Sequence, residues 1–300
     1  MRPGRGELAS CCSPRDCGRS PTDATPLPEI PPDGPLWVLH WNIHSWHAQD
    51  GNSNAAAVAD LIRQTAPHVV SLVEVDETWG SPGQLSDLAG RCGYSWLFTP
   101  AFEFGNGKLE GGFGNALLTT LPILAAHQWQ LLWPPQLYDR TESSEPRALL
   151  LACLGWPGTP FWAGTSHLPR EDEQARDAAL ERLQTLTGAL LEPWFVASDF
   201  NTPASSWLDP AAPVAVSAPL MTYPASAPAE PIDYCIASPG FQLDAEVLDS
   251  TASDHLPLLI TASQPRRLAP RPAAARRAPV APWSRAGVRG CAAETSYAIA

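Results

Sequence analysis

Long apolar runs are missing from this chain. No stretch approaches the roughly 18–20 apolar residues needed to cross a bilayer, so a helical membrane protein is not expected. Basic charge is scarce. Residues 36–264 hold 8 Lys or Arg against 25 Asp or Glu, a net charge of −17. That field repels a polyanion at long range and leaves no basic nucleic-acid footprint. Heptads and internal repeats are absent. So is cysteine in metal-site spacing: Cys11, Cys12, Cys17 and Cys291 lie near the ends, and Cys92, Cys153 and Cys235 are scattered. Reduced thiols in a cytoplasmic protein are the expectation. The run Leu8-Ala9-Ser10-Cys11 looks like a lipoprotein cleavage box. Only seven residues precede it, they include Arg2, Arg5 and Glu7, and they supply no apolar segment, so it is not read as a signal.

Proline is what the chain has in excess: 33 in 300 residues, about twice the usual ~5%. Residues 1–35 hold 8 prolines and 4 arginines, and residues 265–300 hold 5 prolines and 7 arginines. Neither end has a helical or strand period, so both are expected to be disordered tails. Between them, residues 36–264 suit one domain.

Within that domain apolar strands alternate with two helix patterns. Leu36–Ile43 and Val69–Val75 read as buried strands flanking a helix AAAVADLIRQ, with Ser53 or Asn54 as its cap and Pro67 as its stop. A short helix is expected near residues 84–91, then strands at 94–98, 114–119, 123–129, 148–154 and 161–166. Glu171-Asp172-Glu173 opens a long helix that Pro193 ends. Strands at 194–200, 232–237, 243–248 and 256–261 follow. Two strand–helix–strand units among many hairpins point to an α/β (α+β) fold, with mixed sheets under outer helices.

Several of these strands end abruptly in polar groups: Asn42, Glu74, His167, Asp199 with Asn201, Asp233, and Asp254 with His255. A carboxylate in an apolar strand is costly unless compensated. The domain has too few cations to pair with them all. A shared hard cation explains the set, because Mg²⁺ prefers oxygen ligands and keeps room for water and a substrate phosphate. His and Asn then fit as groups that orient water or steady a phosphoryl oxyanion.

In order, the segments HWN, SLVEVD, GNALLTTLPI, TSHL, SDFN, IDYCIAS and SDHLPL resemble the endonuclease/exonuclease/phosphatase superfamily, its compact bacterial members above all. The resemblance runs from about Leu36 to Thr261. It implies a DNase I-like four-layer sandwich, two mixed β-sheets with helices packed outside. It also implies Mg²⁺, with Mn²⁺ as a substitute, held by Glu74, Asn42 and Asp254. Asp199 would activate the attacking water, with Asn201 fixing it. His255, held by Asp233, would contact the scissile phosphate, and His167 would stabilise the transition state or protonate the leaving oxygen. The chain departs from the family pattern at Val73, Thr120 and Ser198.

His44, Arg147 and Asn115 are candidate substrate contacts, although Arg147 could equally form an ion pair with Glu145 or Glu142. His40, Trp41 and His47 read as packing or loop residues, and most tryptophans as packing. The implied activity is hydrolysis of a phosphoric ester, preferentially a diester, by a monomer with no stable protein partner. A nuclease is the nearest alternative, and a catalytically silent binding module on the same fold is the alternative of another class.

Overall fold

The computed structural model describes residues 9–10, 34–78, 82–105, 110–132, 145–157, 159–170, 172–191 and 193–263. The expected tails therefore lie outside the described residues, apart from a short strand β1 (Ala9–Ser10) inside the first.

The elements that follow are β2 (Leu36–Asn42), α1 (Ala55–Thr65), β3 (Val69–Asp76), α2 (Gln84–Cys92), β4 (Ser95–Gly105), β5 (Glu110–Thr119), β6 (Ile123–Leu132), β7 (Arg147–Leu154) and β8 (Phe161–His167). Then come α3 (Glu173–Gly188), β9 (Trp194–Asp199), α4 (Ala204–Trp207), β10 (Ala215–Val216), β11 (Asp233–Ala237), β12 (Gln242–Val247) and β13 (Leu258–Ser263). One sheet has the order β1-β4-β5-β3-β2-β13-β12, the other β10-β11-β9-β8-β7-β6. The pairs β2/β3 and β8/β9 are parallel and the rest antiparallel, so both sheets are mixed. The two parallel pairs are the strand–helix–strand units read from the sequence.

Period-2 alternation sorts the side chains into layers. Leu39, Trp41, Val70 and Leu72 turn outward under Val58 and Ile62 of α1 and Leu85 and Leu88 of α2. Leu149, Leu151 and Val196 turn outward under Leu180 and Leu183 of α3. Leu36, Val38, Phe161, Phe195 and Ile260 fill the space between the sheets. The result is the expected four layers.

Local capping differs in one place. Asp172 caps α3 by accepting from the Ala175 N–H at 2.9 Å. Asn54 precedes α1 without capping it. Its Nδ2 donates to the Ile43 and Ala252 carbonyls at 2.8 and 2.6 Å, tying together two loops beside the site. Cys235 is a buried thiol. Among the described residues, no helix is long and apolar enough to cross a membrane.

Candidate active site

The row of side chains facing the opposite sheet changes character along each strand. Leu36 and Val38 on β2 give way to His40 and Asn42. Phe195 and Ala197 on β9 give way to Asp199. Strand direction brings these polar ends together. β2 and β3 are parallel, so Asn42 and Glu74 emerge at one edge. β8 and β9 are parallel, with His167 opposite Asp199. β11 runs antiparallel to β9, so it begins where β9 ends, with Asp233 opposite Asp199. β13 pairs antiparallel with β2, Leu258 opposite His40, and the loop entering it delivers Ser253, Asp254 and His255 to the same edge.

Glu74 reaches the site through a bulge. The register of β3 on β5 shifts between Leu72 and Val75, and Glu74 has φ +56°. Such a residue costs about 1–3 kcal/mol and re-aims its side chain. Across from Val75, Gly114 leaves room for β4: a Cβ there would sit 2.0 Å from the Thr99 carbonyl oxygen. Glu74 Oε1 accepts from Asn42 Nδ2 at 3.0 Å, and the same amide donates to Asp199 Oδ2 at 3.1 Å, linking the two sheets. Asn42 Oδ1 accepts from the His44 N–H at 3.1 Å. Burial, with Asp254 nearby, raises the Glu74 carboxyl above its ordinary range.

Asp199 Oδ1 accepts from the Asn201 N–H at 2.9 Å, a turn for which Asn201 adopts φ +52°. Asn201 Nδ2 donates to the Leu168 carbonyl at 2.8 Å and lies 2.9 Å from His167 Nε2. Burial, then the neighbouring Asp233, pushes Asp199 up to about 7. Burial and the nearby Arg147 and His255 cations hold His167 well below the usual imidazole range, so it is neutral. His255 is the opposite case. Its Nδ1 lies 2.8 Å from Asp233 Oδ2 and its Nε2 3.7 Å from Asp199 Oδ2. Burial opposes its charge, but the two carboxylates prevail and push it up to about 10. Burial likewise opposes ionisation of Asp233, yet His255 and His40 keep it well below the usual carboxylate range. Thr222 Oγ1 donates to Asp233 Oδ2 at 2.7 Å.

A cleft of about 380 Å³ opens onto Glu74, His167, Asp199, Asn201, Asp254 and His255. Asn42 and Asp233 stand one layer behind it. His44 and Arg147 also line it. Arg147 is buried, 3.4 Å from Glu145 as one of its expected ion pairs, and its Nε has no hydrogen-bond partner among the described residues. Asn115 does not line the cleft. Its side chain points between the sheets, where Nδ2 donates to the Ala148 carbonyl at 3.0 Å, a tie from β5 to β7. Two of the departures from the family pattern, Val73 and Ser198, do not line the cleft. Val73 is buried in β3 opposite Asn42, and the Ser198 hydroxyl donates to the Ser166 carbonyl at 2.5 Å.

The sequence missed three neighbours. His40, read as packing, lies 3.2 Å from Asp233 Oδ1. Tyr223 packs on the His255 ring with centroids 4.7 Å apart, and the Arg170 guanidinium lies 4.5 Å over the Tyr223 ring at the cleft. HWN contains His40 without naming its partner, and no short motif holds Tyr223 or Arg170.

The donor set suits a hard divalent cation. Ligand atoms of Asp199, Asp233 and His255 lie within 4.8 Å of one another. Asp233 and His255 are already bonded to each other, so this trio is a hydrogen-bonded relay more than a cage. Four carboxylates line the cleft: Glu74, Glu145, Asp199 and Asp254. All offer hard oxygens, the kind that hold such a cation together with water and a substrate phosphate.

Comparison with known proteins agrees with this geometry. A model of the endonuclease/exonuclease/phosphatase family matches residues 39–255. Among solved structures, the fold is similar to an endonuclease/exonuclease/phosphatase from Beutenbergia cavernae (TM-score 0.60, 22% identity, covering 77% of this chain and 72% of that one). It is also similar to a mannosyl-6-phosphatase from Bacteroides thetaiotaomicron (TM-score 0.59, 17% identity, 76% and 99%) and to the human Nocturnin catalytic domain with bound sulfate (TM-score 0.54, 19% identity, 77% and 93%). No curated protein gives a sequence match. The two mixed sheets, their outer helices and the matched span establish that the chain belongs to the endonuclease/exonuclease/phosphatase family of phosphoric ester hydrolases.

Proposed function

We propose that this protein hydrolyses a small phosphodiester by in-line attack of water, with Mg²⁺ as its cation. The observation that carries the reading is one cleft in which Asp199 faces His255 at 3.7 Å beside Glu74, Asn201 and Asp254. Asp199, pushed up to about 7, is poised to take a proton from water, and His255, pushed up to about 10, stays an imidazolium. A base tuned near the working pH is the efficient one. The imidazolium donates toward a phosphoryl oxygen as negative charge gathers there. Asn201 orients the water or a phosphate oxygen. His167, held neutral, suits a hydrogen-bonding role better than that of a general acid. Glu74 and Asp254 would hold the cation, with Asn42 steadying Glu74 from behind, and when bound it would neutralise charge on the phosphoryl oxygens.

The cleft's charge favours a diester. Glu74, Glu145, Asp199 and Asp254 line it against Arg147 and Arg170. A monoester dianion meets more repulsion there than a singly charged diester. Nucleic-acid backbones demand a run of cations, and the domain's net charge of −17 works against one. The test is a Mg²⁺-supplemented panel of bis(p-nitrophenyl) phosphate, sphingomyelin, phosphoinositides, p-nitrophenyl phosphate, plasmid DNA and RNA. Faster cleavage of a small or lipid diester than of the polymers or the monoester is expected. Preferential cleavage of DNA or RNA would assign a nuclease instead.

A further inference from the structure

A hydrogen-bonded chain runs back from the cleft into the core between the sheets. Asp233 Oδ2 receives His255 Nδ1 at 2.8 Å and the Thr222 hydroxyl at 2.7 Å. Asp233 Oδ1 lies 3.2 Å from His40 Nε2. His40 Nδ1 lies 2.9 Å from Ser71 Oγ, which in turn lies 2.8 Å from Thr165 Oγ1 and 3.0 Å from the Ala197 carbonyl oxygen. His40 and Ser71 are fully buried, and Asp233 nearly so.

We propose that His40 is a positioning residue that acts on His255 through Asp233. His40 occupies the inward-facing row of β2, two residues after Val38 and two before Asn42. An apolar side chain would continue the core there. An imidazole is costly in that place unless both ring nitrogens are bonded, and Ser71 and Asp233 bond them. A carboxylate oxygen only accepts, so the contact with Oδ1 puts a proton on His40 Nε2. Ser71 fixes the ring's rotation from the other side, as donor or acceptor to Nδ1. With Oδ1 anchored this way, the carboxylate plane is set and Oδ2 stays aimed at the His255 ring. Partners of this outer kind commonly contribute 10–100-fold to the activity of a site.

The experiment compares His40→Phe, which keeps a flat ring and removes the donor, with His40→Gln, whose Nε2 reaches the same position and restores it. The first readout needs no substrate: ¹⁵N-histidine NMR of the full chain, with the His255 signals assigned by their loss in His255→Asn. In the wild type and His40→Gln, His255 should show a strongly hydrogen-bonded Nδ1–H. In His40→Phe that signal should move or broaden. The second readout rests on the proposed diesterase reading. On bis(p-nitrophenyl) phosphate, His40→Phe should lower kcat by about 10–100-fold with KM little changed, and His40→Gln should recover most of it. Absence of turnover in the wild type would overturn the diesterase reading while leaving the NMR comparison decisive. Ser71→Ala, a smaller change, should shift the His255 signal in the same direction and serves where His40→Phe fails to fold. An unmoved His255 signal in His40→Phe, or in Ser71→Ala where it substitutes, overturns the proposal. So does a His40→Gln variant as impaired as His40→Phe in both readouts.

Discussion

The space between the two sheets has two ends built by the same strands to opposite rules. At one end, Phe161 and Phe195 stack with centroids 5.7 Å apart and Phe241 meets Phe195 edge-on. At the other, His40, Ser71, Thr165, Asp199 and Asp233 occupy the same inward-facing rows, equally buried. The apolar end gains stability by excluding water. The polar end forgoes that gain and satisfies each group with a specific partner, which fixes geometry and ionisation together. Stability and chemistry are thus expected to separate along the strands.

The sharpest break in that comparison is Asp199→Ala. It should cost roughly 10²–10⁴ in kcat if Asp199 moves the proton. It removes a carboxyl that burial disfavours, so thermal denaturation should show a Tm no lower than the wild type. At the other end, Phe195→Ala should cost about 3–5 kcal/mol in urea unfolding by leaving a cavity, and the folded fraction should retain the wild-type kcat.

The pH profile sharpens the contrast. On the proposed mechanism, activity needs Asp199 without its proton and His255 with one. kcat/KM should therefore rise as pH climbs through about 7 and fall as it approaches about 10. Asp233→Asn removes a charge that raises His255, so the falling limb should move to lower pH. A limb that stays in place would detach it from His255. The smallest expected effect is Asp172→Ala. This cap lies on α3, outside both ends, and its loss should cost about 0.5–2 kcal/mol of stability without touching turnover.

Much of this was legible in sequence, and the limit is physical. Asp199 with Asn201, and Asp254 with His255, lie in short segments that hold both partners at once. The parallel pairs follow from two strand–helix–strand patterns. His40 was illegible because its meaning depends on Asp233, 193 residues away, and on Ser71, 31 residues away. Read alone, a histidine in an apolar strand is packing. Asn115 is the converse case, a candidate contact whose amide nitrogen is taken up by the Ala148 carbonyl. The end of β5 from Gly114 to Thr119 is buried throughout, so alternation could not tell the sheet-facing side of that strand from the cleft side. The bulge at Glu74 left no composition signal beyond an acid interrupting a strand.

A cation-dependent phosphoesterase site at the polar end must lose its turnover with its metal. The most direct test is turnover of bis(p-nitrophenyl) phosphate by the full chain, first stripped with EDTA and then titrated with Mg²⁺, beside Glu74→Gln. Chelation should abolish activity and Mg²⁺ restore it, with Glu74→Gln needing far more Mg²⁺ to recover. Turnover that survives chelation, at the same rate in both proteins, would contradict that reading.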